Sequence, residues 1–159
     1  MKQLQATFTF DQLDFDELST EERRLIESAI KATENSYAPY SNFRVGAAVA
    51  LDDDTIVVGA NQENAAYPSG LCAERTALFA AQAQHPTRPV TMLAIAARNE
   101  DGPVAQPITP CGACRQVIAG VEERYGKPME ILLYGTSCIY RIHSAKDLMP
   151  LAFADSSMR

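Results

Sequence analysis

Two short segments, Cys72-Ala73-Glu74 and Pro110-Cys111-Gly112-Ala113-Cys114, constrain this chain more than any other feature: they offer three soft thiolates to one metal, with a carboxylate beside them. A fold that uses them must bring both segments together. Three protein ligands leave the fourth position of a tetrahedral zinc ion free for water, which separates a reactive site from a closed structural one. Glu74 lies two positions after Cys72, and residues so spaced do not share a face of a regular helix. The carboxylate therefore reads as a carrier of protons rather than a further ligand.

The competing reading adds Cys138 to Cys72, Cys111 and Cys114 and closes a structural four-cysteine centre. Against it, Cys138 stands in Ser137-Cys138-Ile139, a context that suits a small buried hydrophobe. Neither His85 nor His143 has a ligand partner at metal spacing, so both read as surface or structural residues. Four cysteines in a chain of 159 residues without a recognisable export signal fit metal ligation or free thiols better than a disulfide framework.

Length and charge bound the rest. A chain of 159 residues suits one domain with its own core, and its 47% hydrophobic content is ordinary. No apolar run approaches the roughly 20 residues that cross a bilayer. The expectation is a soluble, cytoplasmic protein with no membrane partner. A formal charge of -6 argues against a nucleic-acid partner, whose binding draws on Lys and Arg neutralising phosphates.

Along the chain, Leu4, Ala6, Phe8 and Phe10 alternate with polar positions, which predicts a short strand or ordered arm over residues 1–10. Ser19-Thr20-Glu21-Glu22 has the form of a capping box, and Leu25, Ile26, Ala29 and Ile30 follow at helical spacing, predicting a helix from Thr20 to Tyr37. Arg44 to Leu51 and Ile56 to Ala60, split by Asp52-Asp53-Asp54, predict an antiparallel hairpin. Helices are expected over Ala73 to Gln84, Gly112 to Tyr125 and Ala145 to Leu148. Strands are expected over Met92 to Ala97, Glu130 to Tyr134 and Ile139 to Ile142, with a loop from Asn99 to Thr109. This order favours a sheet covered by helices.

Both cysteine clusters then open helices, where unpaired N–H groups and the dipole favour thiolates. Three thiolates around Zn²⁺ carry a net charge of about minus one, which opposes the acidification of water at the metal. Arg75 is the nearest cation in sequence to offset it. A Cys, one residue, a Glu and a later Pro-Cys-x-x-Cys is the order found in zinc deaminases, in which one carboxylate takes a proton from water and returns protons to a ring nitrogen and the departing amine.

The chain resembles the cytidine deaminases, specifically the small homotetrameric type, from about Leu25 to Phe153. The resemblance rests on Tyr37-Ala38-Pro39-Tyr40-Ser41, Phe43-Arg44-Val45-Gly46-Ala47-Ala48, Asn61-Gln62-Glu63-Asn64-Ala65-Ala66-Tyr67, Cys72-Ala73-Glu74-Arg75-Thr76-Ala77 and Pro110-Cys111-Gly112-Ala113-Cys114-Arg115-Gln116. It implies hydrolytic deamination of cytidine and 2'-deoxycytidine, in pyrimidine salvage, with Zn²⁺ on Cys72, Cys111 and Cys114 and Glu74 moving the protons. It further implies that Phe43 packs on the pyrimidine, that Asn61 and Glu63 bind ribose hydroxyls, and that the Ala73 N–H reads the base carbonyl. Ala65, Tyr67 and Phe153 would approach the ribose across subunit interfaces of a homotetramer. Without the resemblance, core packing or a turn is the simpler role for Phe43, Asn61 and Tyr67. The implied fold is an α/β three-layer α/β/α sandwich around a five-stranded mixed sheet, formed by residues 20–159 as one catalytic domain after an extension, residues 1–19.

Overall fold

The computed structural model describes residues 1–158. A seven-stranded mixed sheet carries helices on both faces. Its strands are β1 (Asp11–Leu13), β2 (Arg44–Leu51), β3 (Ile56–Ala60), β4 (Val90–Asn99), β5 (Gly102–Pro103), β6 (Glu130–Tyr134) and β7 (Ile139–Ile142). The helices are α1 (Thr20–Ala32), α2 (Ala73–Gln84), α3 (Gly112–Tyr125) and α4 (Ala145–Leu148). The strand order is β1-β7-β6-β4-β2-β3, with β5 paired to β4. Two strands exceed the expected five: β1 adds to the β7 edge, and β5 is a short return after β4.

All pairings are antiparallel except β4 with β6, which α3 joins as a crossover helix. Strand β4 is apolar on both faces because both are covered. Leu93 and Ile95 meet Ala77, Leu78, Ile118 and Val121 of α2 and α3, while Ala94 and Ala96 meet Leu25, Ile26 and Ala29 of α1.

Helix α1 begins as the capping box predicts: the Glu22 N–H donates to Ser19 Oγ at 3.2 Å, and the Ser19 N–H donates to Glu22 Oε2 at 2.7 Å. It stops earlier than expected. After Ala32 the chain tightens into a 3-10 turn over Thr33–Asn35, where the Thr33 hydroxyl donates to the Ile30 carbonyl at 2.7 Å. Residues 1–10 are exposed and form no strand, since they run ahead of the segment that β7 pairs.

Glu22 also binds the Arg141 guanidinium, joining α1 to β7. Burial opposes its ionisation, but the Ser19 N–H and Arg141 outweigh that and hold its carboxyl below the ordinary 4.5. A depressed carboxyl contributes stability that is present above the unfolded value and lost as pH falls through the folded one. Thermal melts from pH 6 to pH 3 should therefore show Glu22→Gln losing less stability than wild type below about pH 4.5. Parallel acid limbs in the two proteins would contradict this.

Three glycines let other elements approach the backbone closely, Gly46 beneath α1 and two that bear on the cysteine segments, Gly59 and Gly135. A Cβ on Gly59 in β3 would lie 2.4 Å from the Ala77 nitrogen and 2.7 Å from the Ala73 carbonyl oxygen, so α2 can sit against the sheet only over this residue. At Gly135 a Cβ would lie 2.5 Å from the Ala105 carbonyl oxygen, and the loop that leads to Pro110 rests there. Ser137 secures that loop by donating from its N–H and its hydroxyl to Ala105 at 3.0 and 2.6 Å. Overpacking against backbone should make Gly59→Ala cost about 1–3 kcal/mol. Denaturant unfolding reads this directly, and an unchanged midpoint would show that α2 does not depend on the close approach.

Candidate metal centre

The N terminus of α2, held on β3, and the N terminus of α3, fed by the Gly135-anchored loop, bring the two cysteine segments together. Cys72 and Cys111 are the N-cap residues of α2 and α3, and Cys114 lies in the first turn of α3. The Cys72 and Cys111 sulfurs are 3.9 Å apart, those of Cys111 and Cys114 are 3.5 Å apart, and all three lie within 4.8 Å of one another. Tetrahedral zinc–sulfur bonds of about 2.3 Å place sulfurs about 3.8 Å apart. The donor set and spacing fit zinc.

A thiol hydrogen bond from Cys114, joined by Arg75, lowers Cys72 to about 5 despite burial. Giving that bond, together with burial, pushes Cys114 in the opposite direction. The cluster thus holds one thiolate ready before metal arrives. The Arg75 Nη2 lies 3.6 Å from the Cys72 sulfur, in the place the charge argument requires. Cys138 is buried elsewhere and takes no part in the cluster.

Glu74, in the first turn of α2, is 4% exposed. Burial, reinforced by the Cys72 thiolate, raises its carboxyl above the usual range. Ala73, between Cys72 and Glu74, is fully buried.

Beside Cys72 opens a cavity of about 540 Å³, walled by Tyr40, Asn61, Glu63, Tyr67 and Arg75 among others. Three residues anticipated at a substrate site, Asn61, Glu63 and Tyr67, thus share one space with a metal-ligand candidate. Asn61 also ties the end of β3 to the start of β2: Oδ1 accepts from the Val45 N–H at 2.8 Å and Nδ2 donates to the Phe43 carbonyl at 3.0 Å. One amide hydrogen and one lone pair remain for a ligand. Phe43 is half-buried and lies outside the cavity walls, while Ala65, Tyr67 and Phe153 are on the surface.

Sequence reasoning missed the brace around Glu63. Its carboxylate accepts from the Tyr40 N–H at 2.8 Å, the Ser41 N–H at 3.3 Å and the Ser41 hydroxyl. The Ser41 hydroxyl and Tyr40 N–H hold that carboxyl below its usual range. The Tyr37-to-Ser41 segment was visible as a motif, but the partner it turns toward lies 22 positions away.

The fold and site have close counterparts. A family model for the cytidine and deoxycytidylate deaminase zinc-binding region matches residues 19–124. The chain is 48% identical to a cytidine deaminase of Halalkalibacterium halodurans over 95 residues, 60% of this chain and 67% of that protein. It is 49% identical to a cytidine deaminase of Sporosarcina psychrophila over 96 residues, 60% of this chain and 66% of that one. These alignments therefore span about two thirds of each relative's length. The crystal structure of cytidine deaminase from Burkholderia pseudomallei superposes with a TM-score of 0.69 at 44% identity, covering 82% of this chain and 97% of that one. That of cytidine deaminase from Mycobacterium tuberculosis gives 0.64 at 32% identity, with 82% and 95% covered.

Proposed function

The chain belongs to the cytidine and deoxycytidylate deaminase family, and from that premise we propose how its own residues bind a nucleoside and move the protons of the reaction. The activity is the zinc-dependent hydrolytic deamination of cytidine: water replaces the exocyclic amine, giving uridine and ammonia. The same site takes 2'-deoxycytidine, whose attacked atom is identical. The observation that carries the assignment of roles is Glu74, a buried carboxylate on the turn that follows Cys72 and beside Cys114.

Cys72, Cys111 and Cys114 would hold the zinc ion, which supplies the Lewis acidity that makes water acidic enough to ionise near neutral pH. Glu74 takes one proton from the attacking water and gives it to the ring nitrogen, then takes the remaining proton from the hydroxyl now on the attacked ring carbon and gives it to the departing amine. Burial suits the carboxylate to both directions, because it binds a proton more tightly than an exposed one. The Ala73 N–H, at the start of α2, orients the base through its carbonyl, and Phe43 offers a flat apolar face to the ring. Asn61 and Glu63 take the ribose hydroxyls with the hydrogen-bonding capacity that the braces leave free.

Ala65, Tyr67 and Phe153 are surface residues of the single chain, which supports a homotetramer in which neighbouring copies close each ribose site. Helix α1 on one face of the sheet and α2 with α3 on the other support the three-layer α/β/α arrangement. Residues 1–19 form an extension and 20–159 one catalytic domain acting in cytoplasmic pyrimidine salvage. Among the described residues no helix is long and apolar enough to cross a membrane.

Comparing turnover of cytidine with that of a cytosine-containing oligonucleotide tests the substrate class. Cytidine should be the substrate by a wide margin, and preference for the oligonucleotide would overturn the reading. Arg75→Ala should weaken zinc binding about 10- to 100-fold, as loss of a partner to a metal ligand does. Competition against a chelator of known affinity measures this, and an unchanged affinity would remove Arg75 from the site.

A further inference from the structure

The N-terminal arm is the conspicuous element that this reaction leaves unused. The family model begins at residue 19, so residues 1–18 lie outside the matched unit. Strand β1 nevertheless docks along β7 through Asp11–Arg141, Gln12–Tyr140 and Leu13–Ile139. His143 Nε2 lies 3.0 Å from the Asp11 carboxylate. Just ahead of β1, the Phe10 ring meets Tyr140 edge-on, with centroids 5.0 Å apart.

Phe8 and Phe10 wall a largely apolar cavity of about 290 Å³, whose other walls include Leu133, Leu148, Thr109 and Arg115. Arg115 spans the gap between two segments. Its Nε donates to the Pro110 carbonyl at 2.8 Å and its Nη1 to the Leu148 carbonyl at 2.8 Å. Pro110 immediately precedes Cys111, and Arg115 itself follows Cys114. One guanidinium therefore ties the entry to the second cysteine pair onto α4. Its charge-assisted bonds hold best where water does not compete for the donors, and both arm rings wall the same space as the guanidinium.

We propose that the N-terminal arm is a strap: Phe8 and Phe10 shield the Arg115 bridge between Pro110 and Leu148 and thereby hold the Cys111–Cys114 half of the metal site in position. These are positioning residues, and the inference rests on zinc being held by the three cysteines. A rival role for the arm is to cover the β7 edge against pairing with other chains. That role predicts a change in aggregation with no change at the metal.

The test uses the full chain with Phe8→Ser/Phe10→Ser, Leu4→Ser, Arg115→Ala and the combination of the ring and arginine substitutions. Phe8 and Phe10 are 60% and 47% exposed, so replacing them leaves the core intact, and Leu4 is an arm residue outside the cavity walls. Zinc release to a chromogenic chelator should quicken about tenfold in the ring variant, the scale of losing support behind a metal ligand. It should be unchanged in Leu4→Ser, and the ring substitutions should add nothing once Arg115 is alanine. Amide exchange over residues 109–115 reads the same tether without reference to metal and should quicken in the ring variant. A wild-type release rate and wild-type exchange in that variant would overturn the strap, as would an equal acceleration with and without Arg115. If wild type yields no chelatable zinc, the metal assignment fails, and amide exchange alone decides the strap.

Discussion

Glu74→Gln should lower turnover of cytidine by about 10²- to 10⁴-fold, the range for losing a positioned general acid and base, at unchanged zinc content. The glutamine fills the same buried volume in the first turn of α2, so the fold and the sulfur cluster persist. What disappears is the group that relays the two protons of water in turn, the first to the ring nitrogen and the second to the leaving amine. An amide can hydrogen-bond at that place but cannot exchange protons in the required direction. The absorbance change as cytidine becomes uridine measures the rate, with both proteins matched for bound zinc. A variant that keeps more than about a tenth of the wild-type rate would be incompatible with proton transfer through this carboxylate.

Cys114→Ala should remove the metal altogether. The three sulfurs lie within 4.8 Å of one another and Cys114 is fully buried, so its removal leaves two thiolates and an apolar methyl where the third stood. Two thiolates from separate helix ends do not make a structural or catalytic zinc site, in which three or four protein ligands are the rule. Cys138→Ala is the matched comparison, because it deletes another buried thiol that belongs to no cluster among the described residues. Metal analysis after exhaustive dialysis should find about one zinc per chain in wild type and in Cys138→Ala, and close to none in Cys114→Ala. Retention of zinc by Cys114→Ala, or its loss from Cys138→Ala, would replace the open three-cysteine site with the closed four-cysteine centre.

The elements that position the metal were legible because their signals are local. Ala73–Gln84 and Gly112–Tyr125 are helices with the bounds that composition and the cysteine spacing predict, and β6 and β7 likewise coincide with their apolar runs. The hairpin of β2 and β3 followed from two segments rich in Val, Ile and Ala around three aspartates, and its register pairs Ala50 with Ile56. Less local features were hidden. Helix α1 overran its real end because nothing in Thr33-Glu34-Asn35 separates an α turn from a 3-10 turn until the Thr33 hydroxyl chooses the Ile30 carbonyl. Strand β1 escaped notice because Asp11-Gln12-Leu13 has no apolar run, and its extended form comes from β7, more than 120 residues away in the chain.

At the site the division is the same. Cys72, Cys111, Cys114 and Glu74 announced themselves by residue type and spacing, and the structure gathers the sulfurs as expected. The supports did not. Glu63 is held by Tyr40 and Ser41, and Arg115 bridges Pro110 and Leu148, across separations that no pattern in one sequence encodes. Asn61 carries two tasks at once, a link to Phe43 and Val45 at the start of β2 and a place in the cavity wall, and its sequence neighbours encode neither.

The product balance of purified, zinc-replete chain with cytidine tests the three-cysteine zinc site and the deamination of a free nucleoside together. Uridine and ammonia should form in equal amounts, abolished by a chelator and restored by added zinc. Cytidine left unchanged by chain with zinc bound at Cys72, Cys111 and Cys114 would contradict the proposed reaction.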